Sequence, residues 1–463
     1  MRKFAQYFGK YTKTVFIMSN QLDLKKGLDI PVKGAAAQKV AKTVKPGVVA
    51  VKPTDFKGFL PRLLVKEGDR VLAGSPVLAD KQKPQILVTS PVSGTVKSIV
   101  RGEKRKLLAV LVQADDSQEY VDFGTKVPAN ADQVKELLLS TGLWSALIQR
   151  PYGVQADPDL RPKAIFVSSF STAPLAADTE FTLGDRLADV QAGINALGKL
   201  TDGGVHLAVN KAVWNSSPFH KVENAIVHSV SGKHPAGNVG VQISHLAPIQ
   251  KGETVWTMPI LLVAALGHVI NTGKLDLARK VAVTGPVAPD PAYVVALPGT
   301  PVKEITAVPA DARVIGGDVL TGENLGADGC LGFFQDQLTL LHEGTEREWF
   351  GWAKPFRPKV HSSSWCYFSW LTPKKQYDMD TNLHGGPRAF VETKCFEDVT
   401  PMDVFPIYLI KACLAGDIEK MEKFGIYEVL PEDLALCDYV DPSKNDIQAI
   451  IQQGIDLMIK EMA

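Results

Sequence analysis

Between residues 40 and 115 the apolar positions come in pairs and triplets rather than at helical spacing. Val48-Val49, Leu63-Leu64-Val65, Val77-Leu78, Ile86-Leu87-Val88 and Ile99-Val100 alternate with Lys66-Glu67-Gly68-Asp69, Ala73-Gly74 and Ser93-Gly94. Short apolar runs cut by turn residues predict a small all-β unit. The period then changes. Val134, Leu137, Leu138, Trp144 and Leu147 predict a helix over Asp132 to Leu147, broken near Gly142. Gln149-Arg150-Pro151-Tyr152-Gly153, with the Pro/Asp stretch behind it, reads as a linker.

From Ala164 onward strands alternate with helices. Ala164 to Val167, Val205 to Val209 and Ala225 to His228 predict strands, and Asp185 to Leu197 and Pro259 to Ile270 predict helices. That alternation predicts an α/β layer with parallel strands. Residues 277–345 return to short strands at Lys280 to Gly285, Tyr293 to Val295, Arg313 to Gly317 and Leu338 to Leu341, a compact α+β module. Beyond 346 the chain is irregular and then helical. Thr400-Pro401-Met402-Asp403 reads as a capping box. Asp417 is expected to cap Ile418 to Phe424, with Gly425 ending that helix. Asp441-Pro442 is expected to start a last helix, whose Ile447, Ile450, Ile451, Ile455, Met458 and Met462 form one apolar stripe.

Composition narrows the function classes. The 463 residues are too many for one core. A net charge of +1 gives no global basic field for nucleic acid. The longest apolar stretch, Met258 to Ile270, is about thirteen residues, short of a bilayer span. The five cysteines, Cys330, Cys366, Cys395, Cys413 and Cys437, are odd in number and form no CxxC, which predicts reduced thiols. Residues 1–17 are basic and aromatic without an apolar signal-peptide core, and are expected to be an extension ahead of Met18.

Two stretches carry candidate chemistry. Glu67 to Leu78 followed by Thr89 to Val96 resembles the biotinyl/lipoyl-carrier fold, a barrel-sandwich hybrid. The hairpin that bears the modified lysine in carriers is here Ala79-Asp80-Lys81-Gln82-Lys83-Pro84-Gln85. It lacks Met-Lys-Met and Asp-Lys-Ala, so Lys81 and Lys83 are expected to stay unmodified. Gly232 to His245 holds two histidines, glycines and an amide on a loop where backbone can approach a ligand closely. No acidic residue lies within it to complete a metal site. GxGxxG, GxSxG, HExxH and the P-loop are absent. Asp378, Asp380 and His384 read as solvated or capping groups.

Four segments in this order resemble the A-subunit family of the Na⁺-translocating NADH:quinone reductase. They are Lys25 to Ile30, Gln149 to Gly153 with Ala164 to Val167, His234 to Gly237 with Thr254-Val255-Trp256, and Leu434 to Lys444. The family is also similar to the NADH-binding subunit of complex I and to the C subunit of the Rnf complex. The resemblance implies a multidomain α/β and α+β chain. The expected layout is a barrel-sandwich domain with N-terminal strands (18–120), a Rossmann-like domain (121–275), a β-grasp domain of the soluble-ligand-binding type (276–345) and a helical domain (346–463).

Departures from those redox relatives shape the functional expectation. Their Gly-rich flavin loop is replaced by Ser145 to Gly153, which has no glycine cluster. Their CxxCxxC is represented by Cys437 almost alone, with Asp441 in the place of a second thiol; a cluster needs about four thiolates. The resemblance therefore implies a peripheral subunit on the cytoplasmic face of the bacterial inner membrane. It would join a six-subunit complex without a redox centre of its own, flavins and the iron–sulfur cluster lying in partner subunits. Membrane association is expected through partners only, with no nucleic acid and no metal. Quinone is the candidate substrate, and His234, Asn238 and His245 are its candidate hydrogen-bond donors. The alternative is a soluble NADH-oxidising electron carrier of the Rnf C type.

Overall fold

The computed structural model describes residues 21–463, apart from 346–347, 355–356, 358, 364–365, 367, 392–393 and 463. The expected extension at 1–17 lies outside the described residues. Strand β1 (Gln21–Asp23) and strand β2 (Ala37–Thr43) come first. The barrel-sandwich unit follows, built from β3 (Val48–Val51), β4 (Pro61–Leu63), β5 (Arg70–Val71), β6 (Pro76–Asp80), β7 (Leu87–Thr89), β8 (Gly94–Arg101) and β9 (Leu107–Ala114). Its two sheets run β3-β9-β8-β5 and β4-β6-β7. Val110 and Val112, two apart on β9, are fully buried, as alternation on a two-sheet sandwich requires, and on β6 both Val77 and Leu78 are fully buried, so both faces of that strand are covered.

The predicted helix at 132–147 is α1 (Ala131–Thr141). Gly142, at φ 78°, ends it and turns the chain into a short 3₁₀ turn. The α/β layer then contains β10 (Ile148–Arg150), β11 (Val154–Gln155), β12 (Ile165–Ser168), α2 (Thr179–Leu183), α3 (Leu187–Leu197), β13 (Val205–Asn210), β14 (Ile226–Ser231), α4 (Val239–Leu246), β15 (Val255–Thr257) and α5 (Ile260–Thr272). The sheet order is β1-β14-β13-β12-β15-β10-β11, with β1, β14, β13, β12 and β15 parallel. Order reverses between β12 and β15, the switch point of an open α/β sheet. Helices α3 and α5 cover one face at close range: a Cβ on Gly267 would fall 1.7 Å from the Asp189 carbonyl oxygen. Helix α5, the apolar stretch singled out in the sequence, is almost wholly buried. No helix among the described residues is long and apolar enough to cross a membrane.

The α+β module holds β16 (Arg279–Thr284), β17 (Ala292–Ala296), α6 (Val302–Ile305), β18 (Ala312–Gly316), β19 (Glu323–Asn324) and β20 (Gln337–His342), in the order β19-β18-β20-β16-β17-β2. The C-terminal helices are α7 (Lys394–Val399), α8 (Pro406–Ala415), α9 (Ile418–Phe424), α10 (Ala435–Val440) and α11 (Ile447–Met462). The stripe on α11 is buried at Ile447, Ile451, Ile455 and Met458. Asp417 caps α9 through Lys420 N, and Gly425 ends it at φ 104°.

Several local readings change. Residues 21–43, grouped with the barrel by sequence, supply edge strands to the two other large sheets. Gln149 to Gly153 is no linker: it forms the β10–β11 hairpin, stitched into the sheet edge beside β15. Thr400 starts no helix. Its hydroxyl donates to the Phe396 carbonyl and closes α7, while α8 begins at Pro406. Asp441 holds a turn through Ser443 N and Asn445 N, and the last helix starts later, with Asp446 accepting from Ala449 N.

Candidate functional site

The four segments that carried the family resemblance converge where the α/β sheet meets the helical domain. β10 pairs with β15, so Arg150 lies opposite Val255 and Gln149 opposite Trp256. This points the Arg150 side chain inward, and it is 2% exposed. Its Nη1 donates to Asp433 Oδ2 at 2.7 Å and its Nη2 to Glu432 Oε1 at 2.7 Å. Asp433 is itself fully buried as a side chain. Burial alone would work against the guanidinium charge, but the two carboxylates outweigh it and keep Arg150 firmly protonated. Asp433 Oδ2 also accepts from Leu430 N at 3.0 Å, ordering the turn that leads into Leu434 to Val440.

This ion pair packs on the first turn of α4. A Cβ on Gly240 would fall 2.3 Å from both Arg150 Nη1 and Asp433 Oδ2, so only glycine admits them. In sheets of this kind the N-terminus of a helix following a strand attracts an anionic ligand. Here the chain's own carboxylate lies against that first turn. Nearby, Tyr152 meets Tyr427 edge to face at 6.3 Å, and Tyr427 donates to Glu422 Oε1, which also takes Lys251 at 2.7 Å.

The switch-point crevice is filled by the molecule's own loops. His234 Nδ1 lies 3.2 Å from Thr172 Oγ1, and Thr172 Oγ1 accepts from Gly237 N at 2.9 Å. Gln242 Nε2 donates to Ser168 Oγ at 3.1 Å and to the Ala236 carbonyl at 3.2 Å. From the N-terminal motif, Asp29 Oδ1 accepts from His234 N and Leu28 N donates to the His234 carbonyl, each at 2.9 Å. Each contact is between two parts of this chain.

The three quinone-donor candidates fall together here but in different states. Asn238 Nδ2 donates to the Glu432 carbonyl at 3.0 Å, and His245 Nε2 donates to the Pro401 carbonyl at 2.7 Å. Both tie α4 to the helical domain. His234 is 2% exposed, and its Nε2 is buried without a hydrogen-bond partner. Burial lowers its pKa, partly countered by Asp318, Asp29 and Asp433, which favours a neutral ring. An open groove of about 870 Å³ lies at the β14–β1 edge against Lys211, Trp214 and His220, and none of the three candidates lines it.

The residues do not fit a flavin phosphate or an iron–sulfur cluster. Over Ser145 to Gly153 several backbone donors are committed: Ser145 N to Gly142 O at 3.3 Å, Leu147 N to Trp144 O at 3.0 Å and Gly153 N to Gln149 O at 3.0 Å, with Ile148 to Arg150 paired in the sheet. Cys437 is fully buried and 3.6 Å from Thr400 Oγ1, and burial pushes its thiol up to about 12. Among the described residues no group of three or more His, Cys, Asp and Glu side chains is placed to hold a metal. The carrier-like turn is docked: Lys83 Nζ pairs with Asp157 Oδ2 at 2.6 Å, and Asp80 Oδ1 accepts from Gln82 N and Lys83 N. His384 lies 3.9 Å from Asp380, while Asp378 pairs with His342, both at the surface.

Sequence reasoning missed Arg150, Thr172, Gln242, Glu432 and Asp433. Arg150 stood inside the Gln149 to Gly153 motif; an arginine among Pro and Tyr, matched by an acidic pair just before Leu434, was the available signal.

Three family models match the chain: the NqrA N-terminal barrel-sandwich hybrid domain over 22–115, the NqrA second alpha/beta domain over 129–275, and the NQRA C-terminal domain over 280–326. The A subunit of the Na(+)-translocating NADH-quinone reductase from Rhodopirellula baltica is 35% identical over 449 residues, 95% of this chain and 98% of that protein. The Hahella chejuensis and Neisseria meningitidis proteins of the same name are each 34% identical, over 95% of this chain and 100% of theirs. Among solved structures, an air-oxidised NAD⁺-reducing [NiFe]-hydrogenase aligns at 11% identity and a TM-score of 0.35, over 69% of this chain and 63% of that one.

Proposed function

Because the chain belongs to the A-subunit family of the Na⁺-translocating NADH:quinone reductase, we propose that it is a peripheral subunit of that membrane complex, which couples electron transfer from NADH to quinone with Na⁺ export. The observation that carries this is the match along nearly the whole chain, barrel to helical domain, at 34–35% identity. Its role within the complex is that of a scaffold at the quinone end, without a redox centre of its own. The filled switch-point crevice, the committed backbone of Ser145 to Gly153 and the buried Cys437 thiol support that reading over an NADH-oxidising carrier. Flavins and the iron–sulfur cluster then belong to the other five of six subunits. The chain sits at the cytoplasmic face of the inner membrane, held there by those partners.

His234 is the residue we assign to quinone. Its Nδ1 meets Thr172, but its buried Nε2 has no partner, whereas Asn238 Nδ2 and His245 Nε2 are bonded to the helical domain. A neutral imidazole whose Nε2 has no partner suits a quinone carbonyl. Two measurements test the proposal. The tagged chain should co-purify with the other subunits, and the chain expressed alone should show neither visible absorbance nor iron. A flavin or cluster band would overturn the scaffold role. In the assembled complex His234→Phe should raise the KM for quinone and leave that for NADH unchanged; an unchanged quinone KM removes His234 from the site.

A further inference from the structure

The segment from Trp349 to Tyr377 differs from the rest of the chain. It contains four of the seven tryptophans, nine aromatic residues in all, five lysines and arginines, and no aspartate or glutamate. The chain as a whole is close to neutral, at +1, so this positive charge is local. Among the described aromatic groups Tyr377 is buried, but Trp349, Phe350, Phe368 and Trp370 are exposed. Trp349 is 82% exposed, Trp370 59% and Leu371 62%. Trp370 and Leu371 lie in the short turn Ser369–Leu371 and Trp349 just ahead of the turn Gly351–Ala353, and each turn is preceded by a phenylalanine at positive φ: Phe368 at 58° and Phe350 at 48°. Trp349 meets Phe350 edge to face at 5.4 Å, so the exposed rings are braced against a neighbour. Lys359 and Lys374 are exposed, and Lys375 lies over the Tyr377 ring at 5.0 Å. Acids flank the segment at both ends: Glu348 pairs with both Lys354 and Arg357 and leaves them one charge in excess, and Asp378 faces His342 at 3.8 Å.

Exposed tryptophan interleaved with lysine and lacking acids is the composition of a surface that sits at a lipid headgroup layer. Indole rings prefer the boundary between water and hydrocarbon, and lysine stems reach along apolar surface to leave their charge among phosphates. A protein interface of similar size draws on aromatics and Arg but sheds Lys at its centre. We infer that the exposed residues Trp349, Phe350, Lys359, Phe368, Trp370 and Lys374 form an anionic-phospholipid-binding surface, by which this chain contacts the membrane directly as well as through its partners. This revises the expectation of association through partners alone. It relies on the membrane-complex reading only in preferring lipid to nucleic acid.

The test is flotation of the full chain, expressed without other subunits, with vesicles of phosphatidylcholine alone or containing phosphatidylglycerol. Each lysine or arginine near an anionic leaflet contributes about fivefold in partitioning. The chain should therefore float with the anionic vesicles at least about tenfold better than with neutral ones, and lose most of that advantage at high salt. Trp349→Ser with Trp370→Ser, and separately Lys359→Gln with Lys374→Gln, should each lower the anionic partition about tenfold or more with an unchanged far-ultraviolet spectrum. Equal flotation with both vesicle types overturns the inference, as does undiminished binding by both folded variants. Co-purification with the other subunits is a separate readout, so failure here leaves the membership of the complex standing, and the reverse.

Discussion

Replacing Arg150 by methionine removes the cation from between Asp433 and Glu432 and keeps an apolar stem of similar length. Glu432 is half exposed and can turn to water, but Asp433 has no exposed side-chain surface. The cost is dominated by leaving that carboxylate buried and uncompensated, about 3–5 kcal/mol for a broken buried pair. Asp433→Leu alone should cost a similar amount, because it strands the guanidinium. The double variant Arg150→Met with Asp433→Leu removes both charges and should lie well above the sum of the singles, near the parent. The assay is hydrogen exchange of amides in α4 and in residues 430–440, which reports opening of this junction without requiring the whole chain to unfold in one step. The reasoning fails if either single variant changes protection there by less than about 1 kcal/mol, or if the two losses simply add.

Gly240→Ala should loosen the same junction, since its Cβ would meet Arg150 and Asp433 at 2.3 Å; amide exchange in α4 and in residues 430–440 should accelerate, and unchanged exchange would refute the close-packing argument. Cys437 should resist thiol reagents in the native protein at neutral pH, because burial raises its pKa to about 12; labelling as fast as that of exposed Cys366 would contradict its burial. His206 and His228 stack with Nδ1 of one 2.9 Å from Nε2 of the other, and burial, then the neighbouring ring, pushes His206 down to about 4. The folded form therefore binds its proton more weakly than the unfolded chain. The pair costs nothing above about pH 6.5, and stability falls as pH drops from there to about 4, by up to about 3 kcal/mol for His206. Glu428 and Asp438, which burial raises to about 7 and about 6, slope the other way. The check is thus the difference between the parent and His206→Gln, whose acid-side slope should be flatter; parallel profiles would sink the assignment.

Periodicity located most of the elements because local pattern and burial agreed. The α11 stripe, the strands at 165 and 205, and α1 with its break at Gly142 are all places where one face is apolar. The failures share a cause: a polar residue whose partner lies far away in sequence. Thr400 carries the local signature of a helix start, yet its hydroxyl closes the helix before it. Gln149 to Gly153 has the composition of a loop, but Arg150 finds its carboxylates 282 and 283 residues away. Residues 21–43 pair with strands more than 200 residues downstream. For His234, Asn238 and His245 residue type and loop position were legible, but which donors were already spent was not. That depends on Thr172, Pro401 and Glu432, which no local window contains.

The junction also explains how a sheet with a ligand-binding switch point can serve as a scaffold. Such a crevice binds an anion through free backbone N–H groups and the positive end of a helix. In this chain Gly237 N is spent on Thr172, Gln242 on Ser168 and Ala236, and Asp433 lies on the first turn of α4. An incoming anion must displace Asp433 and break the Arg150 pair. At about 3–5 kcal/mol that lowers apparent affinity by roughly two to four orders of magnitude before the ligand makes any contact. The same contacts fix the helical domain to the α/β sheet, because Glu432, Asp433 and Pro401 belong to one and Arg150, Asn238 and His245 to the other. Closing the crevice and joining the domains are thus one set of bonds. A variant that frees the site for a nucleotide should also loosen the domain junction, and the two effects should rise together.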